Sequence, residues 1–538
     1  MKIINTESSM PMKNIKPILL LVFCLTLLLA AGCGTQETKY NPDSTVSITL
    51  SSEPSTLDPA MTYGLHESNV ELMLFEGLTR LDENSVAQPA LAESWDISAD
   101  MLTYTFHLRP GIQWSDGTPI TAQDFVYSWL RSLDPQTGCG NAYMLFDLLN
   151  AEAYNSEEAD ASQVGVKALD DSTLQVTLRE PAAYFLSLTA FHVFYPVPRQ
   201  VVSEASDTWA SNHNTIVGCG PFKIVKWAHA SEIILEKNEK YWNSSAVISD
   251  CIKMPISESK STRLTMLESH LTDLILDPPS ADQNRLAEMG LYQIVPMLGT
   301  TYYIFNVSKP PFDNIEVRKA FSMAVTREAL VSQVVRNGKQ PAVTFIPPGM
   351  KSGGRDFAQD AGCLVTEDPV QAKKVLDESG YKGEPVTILY NTSEQNKAIS
   401  EAIQAMWKDS LGVEAELTNQ ETKVFYDTRE HGYYQVAIAN WVADFDDPTN
   451  FLDVFTDKTN DAQYHNPAYN RLMKLAHKEI NPARRLDYLH QAEKMLFDDC
   501  VMIPLFYTNQ IVVANPKLKG YFCSPMGTID LIKAYKEK

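Results

Sequence analysis

Val386-Thr387-Ile388-Leu389-Tyr390, then Ile399, Ile403, Met406 and Trp407, then Gly412-Val413-Glu414-Ala415-Glu416-Leu417: this stretch decides the fold. A short run of β-branched and aromatic residues predicts a buried strand over Val386 to Tyr390. Apolar residues recurring every three or four positions predict an amphipathic helix, and Gly412 is placed to end it, because glycine enters the left-handed conformation without a Cβ clash. Val413 to Leu417 predicts the next strand. Strand, helix and strand in succession form a βαβ unit, which implies a parallel pair in an α/β lobe. Just upstream, Asp368-Pro369 caps a helix that Gly380 ends.

Toward the amino terminus, alternation in Val46-Ser47-Ile48-Thr49-Leu50 predicts a strand, and Tyr104, Phe106 and Leu108 share one face of another. Trp114-Ser115-Asp116-Gly117-Thr118-Pro119 is turn chemistry. Thr121 and Asp124 form a capping box ahead of Phe125, Val126, Trp129, Leu130 and Leu133 at helical spacing. Val164 to Leu169 and Leu174 to Leu178, around Asp170-Asp171-Ser172, predict a hairpin. Toward the carboxyl terminus, Val436 to Trp441 predicts a strand, and Asp447 stands where a helix N-cap is expected before Pro448.

The chain begins with an export leader. Lys13 and Lys16 precede an apolar run from Ile18 to Ala31, well short of the ~20 residues a spanning helix needs. Leu29-Ala30-Ala31-Gly32-Cys33 resembles a bacterial lipobox, in which cleavage before the cysteine exposes a thiol that carries diacylglycerol. Residues 1–32 are therefore read as a signal peptide, Cys33 as the lipidation site, and residues 34–44 as a tether. The leader carries three lysines and one glutamate, so a net charge of −22 for the whole chain becomes −24 for the mature part. That acidity argues against nucleic acid, whose phosphates demand the opposite sign. It also leaves the acyl chain as the membrane link. Six further cysteines, Cys139, Cys219, Cys251, Cys363, Cys500 and Cys523, are scattered without metal-ligand spacing, so neither a zinc site nor a disulfide pattern can be read from them.

Ordered blocks carry a family resemblance. Glu76-Gly77-Leu78, Ala92-Glu93-Ser94-Trp95, Tyr104 to Arg109, Trp114-Ser115-Asp116-Gly117 and Asp124-Phe125-Val126 resemble the extracytoplasmic solute-binding proteins of family 5, in particular the oligopeptide binders of ABC importers. Pro311-Phe312-Asp313, Val317 to Ala320, Tyr390 to Ser393, Asp427-Thr428-Arg429 and Trp441 to Leu452 extend the resemblance over nearly the whole mature chain. It implies an α/β, two-lobed periplasmic-binding-protein-like fold (type II, cluster C) with an extra domain inserted in the first lobe. On that template lobe I uses residues 33–75, 199–298 and 510–538, the insertion 76–198, and lobe II 299–509. Ligand lies in the cleft, and hinge closure encloses it.

Enclosing a zwitterionic peptide strips water from an ammonium and a carboxylate, so each needs a partner. Main-chain amides need partners too, which a strand edge supplies without reading side chains. The resemblance makes Asp444 the partner of the peptide ammonium, where a reading without it gives a solvated turn residue. It assigns Trp441 to a side-chain pocket, the alternative being a core tryptophan, and includes Asn440 and Ala443 beside it. Tyr63, Gly64 and Leu65 match a peptide-contacting segment that could equally be a surface loop, and Arg429 matches an arginine near the cleft that could equally serve an ion pair. Departures accompany the matches. The Lys, His and Arg that receive peptide carboxyl termini are replaced by Val335, Asn396 and Ile438, with Arg336 beside the first; a pocket tryptophan becomes Thr422; and both halves of a cleft disulfide become Gly299 and Val442.

No nucleophile elbow, zinc-protease motif, Walker loop or dinucleotide fingerprint occurs in the chain, and Asp444, Asp446 and Asp447 lack the central glycine and terminal glutamate of a calcium loop. The expectation is a monomeric, lipid-anchored binding protein at the outer face of the cell membrane, without cofactor or metal. It would bind oligopeptides and deliver them to permease and ATPase partners. Alternatives are another solute of the same family (a nickel chelate, haem or a sugar), or a sensory lipoprotein presenting a signalling peptide. A secreted hydrolase is more remote still.

Overall fold

The computed structural model describes residues 40–205, 208–456 and 460–538. The signal peptide, Cys33 and the tether as far as residue 39 lie outside them. The elements that matter here fall within Asp43–Lys538. β1 (Thr45–Ser47) is followed by α1 (Leu65–Leu74). β2 (Ala92–Ile97), β3 (Thr103–Leu108), α2 (Ala122–Leu133), β4 (Val166–Asp170) and β5 (Thr173–Thr177) come next, and their strands form an antiparallel sheet in the order β2-β3-β5-β4. β6 (Phe222–Ala228), β7 (Glu232–Lys237) and β8 (Cys251–Pro255) join β1 in a second sheet ordered β1-β8-β7-β6, with β1 parallel to β8.

The largest sheet gathers β9 (Leu274–Leu276), β10 (Tyr292–Phe305), β11 (Thr387–Asn391), β12 (Glu416–Gln420), β13 (Val436–Val442) and β14 (Met502–Ala514) in the order β9-β14-β10-β13-β11-β12. Gln340–Pro341 adds a short strand on β14. Between these strands run α3 (Pro369–Glu378), α4 (Glu394–Leu411) and, before β14, α5 (Pro482–Asp498).

Local chemistry explains the elements. Alternation in β3 buries Tyr104, Phe106 and Leu108 and half-exposes the residues between them. Thr121 and Asp124 close the capping box of α2, and Trp129 of that helix donates its indole N–H to Phe194 O at 2.9 Å. Asp368 caps α3 by accepting the N–H of Gln371, and Pro369 occupies its first turn. α4 ends at Gly412 in the left-handed conformation, and β11 and β12 are parallel, as the βαβ reading requires. Two expectations shift. The strand after α4 begins at Glu416, because Val413 donates its N–H back to Trp407 O and the chain leaves the helix before joining the ladder. The first strand ends at Ser47, and Ile48 and Leu50 make single bridges to Leu274 and Ile256 as the chain changes partners.

Two large apolar cores result. One packs the first two sheets with α1 and α2, and the other packs β10, β11 and β13 against α4 and α5. β10 and β14 run through both. Their ladder pairs Tyr292–Pro296 with residues 509–513, breaks, and resumes at Thr300↔Tyr507. Gly299, directly opposite Val442 on β13, sits in this break. A Cβ on Gly299 would collide with Thr508 Oγ1 and lie 3.0 Å from both Trp441 O and Val442 Cγ2. Gly299→Ala should therefore destabilise the chain by about 1–3 kcal/mol, the range for overpacking, and Gly299→Ala combined with Thr508→Ala should recover part of the loss; urea unfolding of the parent and the two variants measures both. Equal losses in the single and double variants would show that Thr508 is not the obstacle.

Candidate ligand-binding site

Residues from five distant segments enclose a cavity of about 260 Å3. α1 and the residues before it supply Tyr63, Leu65, Ser68 and Leu72, the 187–195 segment supplies Phe191, His192 and Tyr195, and the end of β13 supplies Val442, Ala443, Asp444 and Phe445. The carboxyl-terminal segment closes it with Phe522, Met526 and Asp530, and Arg80 stands in the wall. Aromatic and aliphatic carbon makes up most of this surface, as is usual for a small-molecule site.

Asp444 is the carboxylate of this cavity with an acceptor to spare. Its Oδ2 accepts the Tyr143 hydroxyl at 2.8 Å and, more weakly, Asn450 Nδ2 at 3.4 Å, while Oδ1 has no hydrogen bond among the described residues. Burial raises its pKa, against the two hydrogen bonds that lower it. Asn450 fixes the loop from below: its Oδ1 takes the main-chain N–H of Asp444 at 3.2 Å and the indole N–H of Trp441 at 2.9 Å. Phe445, next along, stacks on Tyr184 with ring centroids 4.4 Å apart.

β13 also carries an open edge. Ala443 N–H donates to Leu298 O at 2.7 Å, so in this antiparallel ladder the odd-numbered residues 437, 439, 441 and 443 direct their main-chain groups at β10. The even-numbered residues then face the other way, toward β11. That strand pairs with β13 at Val436 and Ala437 and goes no further. The N–H and C=O of Asn440 and Val442 therefore point to an uncovered edge that leads to Asp444.

The chain matches, over residues 86–463, the model of the bacterial extracellular solute-binding proteins, family 5 Middle. It belongs to that family. It is 34% identical over 503 residues to the dipeptide-binding protein DppE of Bacillus subtilis, covering 92% of each chain. To the periplasmic oligopeptide-binding protein OppA of Salmonella typhimurium it is 36% identical over 530 residues, 95% of this chain and 96% of that one. The crystal structure of Haemophilus influenzae OppA with RPPGFSPFR superposes with a TM-score of 0.77 at 30% identity, covering 93% of this chain and all of that one. The family-5 chain thus has the two-lobed, type II binding-protein fold expected from its sequence, in a family of extracellular substrate-binding proteins. Among the described residues no helix is long and apolar enough to cross a membrane.

Of the residues singled out in the sequence, family-5 geometry brings Tyr63, Leu65, Ala443 and Asp444 to one cavity. Tyr63 is 75% exposed at its mouth. Gly64 is the N-cap of α1, where it offers no capping side chain. Asn440 lies on the open edge, its Oδ1 accepting from Thr301 Oγ1 at 2.9 Å, and Trp441 is held by Asn450 outside the cavity wall. Arg429 also stands outside it. Its Nε donates to Asp461 at 2.6 Å and its guanidinium lies over the Phe425 and Tyr426 rings. Val335 and Ile438 are core residues, and Asn396 donates to Asn391 Oδ1. Asp447 is not itself the N-cap residue, since Pro448 holds that place, yet its Oδ1 takes the Thr449 N–H as a cap would. The six cysteines beyond Cys33 are free thiols. Tyr143, Asn450 and the main chain of Val442 were not singled out; for Asn450 the signal was a poor helix former just after Pro448, and for Tyr143 there was none.

A carboxyl whose pKa is raised in the fold is stabilised as the neutral acid, so its contribution is full below the unfolded value and is lost as pH rises through the folded one. Asp444→Asn keeps an acceptor for Tyr143 and removes that loss. The ligand-free variant should therefore unfold at the same temperature as the parent or higher at pH 8; a Tm several degrees lower, read by calorimetry, would show that the carboxylate is part of the structural frame.

Proposed function

We propose that this chain captures oligopeptides with a free amino terminus and is the binding subunit of an ABC importer. The observation that carries the reading is Asp444: a partly buried carboxylate with one oxygen unpartnered, at the end of an open strand edge and inside a cavity. A peptide ammonium at Oδ1 supplies the missing counter-charge, and the peptide main chain continues along Asn440 and Val442. Those contacts are independent of side-chain identity, so one site takes many sequences. Tyr143 would leave its hydroxyl on Oδ2, orienting the carboxylate as the ammonium arrives.

The rest of the reading follows from the sequence and the family. Residues 1–32 direct export, and Cys33 carries the lipid that keeps the protein at the outer face of the membrane. Lobe I (33–75, 199–298 and 510–538) carries the insertion 76–198 and closes on lobe II (299–509). The monomer hands its peptide to a permease whose ATPase subunits supply the energy, because the chain has no nucleotide loop of its own. With Val335, Asn396 and Ile438 in place of basic receivers, the peptide carboxylate stays in water.

The test is calorimetry of the soluble form lacking residues 1–33, refolded to remove carried ligand, against a peptide pool and its N-acetylated copy. Free peptides should bind and acetylated ones should not, and Asp444→Asn should lose at least tenfold in affinity, the scale of a charged hydrogen bond. Absence of binding by both pools would reject peptide as the ligand class. The pH dependence has a definite sign. Ammonium binding requires ionised Asp444, whose pKa in the free protein is raised by burial, so affinity should fall by up to about tenfold per pH unit below that pKa. An affinity flat from pH 8 to pH 4 would remove Asp444 from the contact. C-terminal amidation should leave affinity unchanged, and a strong loss would reveal a buried receiver for the carboxylate.

A further inference from the structure

We propose that the proton on His477 sets how firmly the two halves of the chain, one around each apolar core, hold each other: they grip while the imidazole is protonated and loosen when it is not. The inference holds whatever the ligand is, because every group it uses belongs to the chain.

The boundary between the halves carries a cluster of charged groups. From the first half come Asp147, Glu180 and Tyr184, the last packed in the first core with Leu148, the neighbour of Asp147. From the second come Asp453, Arg485 and the helix Pro467–Lys478, which packs Tyr469, Met473 and Ala476 in the second core. His477 lies in the last turn of this helix with 26% of its side chain exposed, and its Nε2 stands 3.0 Å from Asp453 Oδ1. Beside it, Lys478 reaches across the boundary to Glu180 Oε1 at 3.3 Å. Tyr184 hydrogen-bonds Asp147 through its hydroxyl and stacks its ring on Phe445, next in the chain to Asp444. The cluster therefore borders the site that forms between the halves.

Burial pulls the pKa of His477 down, but Asp453, by charge and hydrogen bond, and Asp147, by charge, outweigh burial and hold it above the ordinary value. Arg485 opposes them, and both its terminal nitrogens are committed to Asp447 at 2.8 Å. Asp147 has its own pKa raised by burial and by the charge of Asp453, against Arg179, His477 and the Tyr184 hydroxyl, which lower it. Arg179 in turn donates Nη1 to Glu152 Oε2 at 2.8 Å. A protonated His477 thus attracts two carboxylates, one from each half. A neutral one leaves Asp147 and Asp453 repelling each other across the boundary. Near neutral pH arginine, lysine and tyrosine keep their charge states, so the imidazole is the group of this cluster that switches. The Lys478–Glu180 pair is exposed, contributes little and is screened by salt. With the histidine pKa raised, the stabilisation is full below the value of a free imidazole, ~6.5, and is lost as pH rises through the raised value.

The test uses the chain lacking residues 1–33, refolded to remove carried ligand; it keeps the whole compact unit Asp43–Lys538. Without ligand, no peptide amine can titrate. Histidine ring signals in nuclear magnetic resonance give the pKa of His477, assigned by the signal lost in His477→Gln. It should lie above that of a free imidazole; Asp453→Asn should lower it by about one unit, and Asp147→Asn, made on the opposite half, should lower it too. X-ray scattering reads the grip: the radius of gyration should rise from pH 6 to pH 9, and by more in the parent than in His477→Gln. Glu71 and Glu493, lifted by burial to about 8 and about 7, titrate in the same range, and comparison of the two proteins removes their share. Asp147→Asn keeps the imidazole and should also reduce the rise, so the test still decides if His477→Gln does not fold. Glu180→Gln breaks only the neighbouring pair and should leave the rise in place. A radius of gyration flat with pH in the parent, or an equal rise in His477→Gln, would overturn the proposal. So would a His477 pKa unchanged by Asp147→Asn.

Discussion

The structure depends on the pairing of two long strands, β10 and β14. They are neighbours in the largest sheet, and each runs from one hydrophobic core into the other: Val295 and Val512 pack in the first core, and Leu298, Tyr303 and Leu505 in the second. The register breaks between Pro296 and Thr300, where the chain leaves the first core and enters the second. Proline cannot donate to a ladder, and Gly299 has no side chain to pack. Both residues suit a place where the ladder is interrupted between the two cores. Gly299 serves a second end, since its missing Cβ is the room that Thr508 occupies against β13.

Contacts between the two halves form a site that neither holds alone. Asp444 and Phe445 follow β13 in the second half, and their partners Tyr143 and Tyr184 come from the segment around the antiparallel sheet of the first. A hydroxyl on a carboxylate and a stacked ring pair each contribute on the order of 1 kcal/mol. Such contacts hold the two halves together only weakly. A ligand contact at Asp444 would shift the relation of the two halves only if it were made in one arrangement and not in another.

Much of this was legible in the sequence wherever the physics is local. The capping box of Thr121 and Asp124, the Asp368-Pro369 start of α3 and the Gly412 end of α4 are decided within one helical turn and stand as read. The strand after α4 slid by three residues because its start depends on a helix-end hydrogen bond from Val413 to Trp407 O, which apolar periodicity does not register. The cavity was legible in part. Asp444 and the 63–65 segment were found through ordered family blocks, while Tyr143, 301 residues from Asp444, belongs to no pattern with it. The 522–530 segment, which supplies a whole wall, carries no periodicity at all. Arg429 shows the reverse limit: a conspicuous charge near the expected cleft turned out to be held by Asp461.

The loop after β13 shows how one stretch of sequence separates structural from functional charge. Asp447 is buried, is held by both terminal nitrogens of Arg485 at 2.8 Å, caps Thr449, and has its pKa lowered by these partners against the pull of burial. Asp446 accepts one main-chain N–H, from Lys351, and burial lifts its pKa to about 6. Asp444 has neutral hydrogen-bond donors, no cation, and one oxygen without a bond among the described residues. Three aspartates within four positions thus share composition and neighbourhood and differ in how far the protein neutralises them. The fold completes the charge balance at Asp447 and leaves it open at Asp446 and Asp444. A partly buried carboxylate without a counter-ion carries a desolvation cost. Of the two that no cation neutralises, Asp444 is the one that lines the cavity.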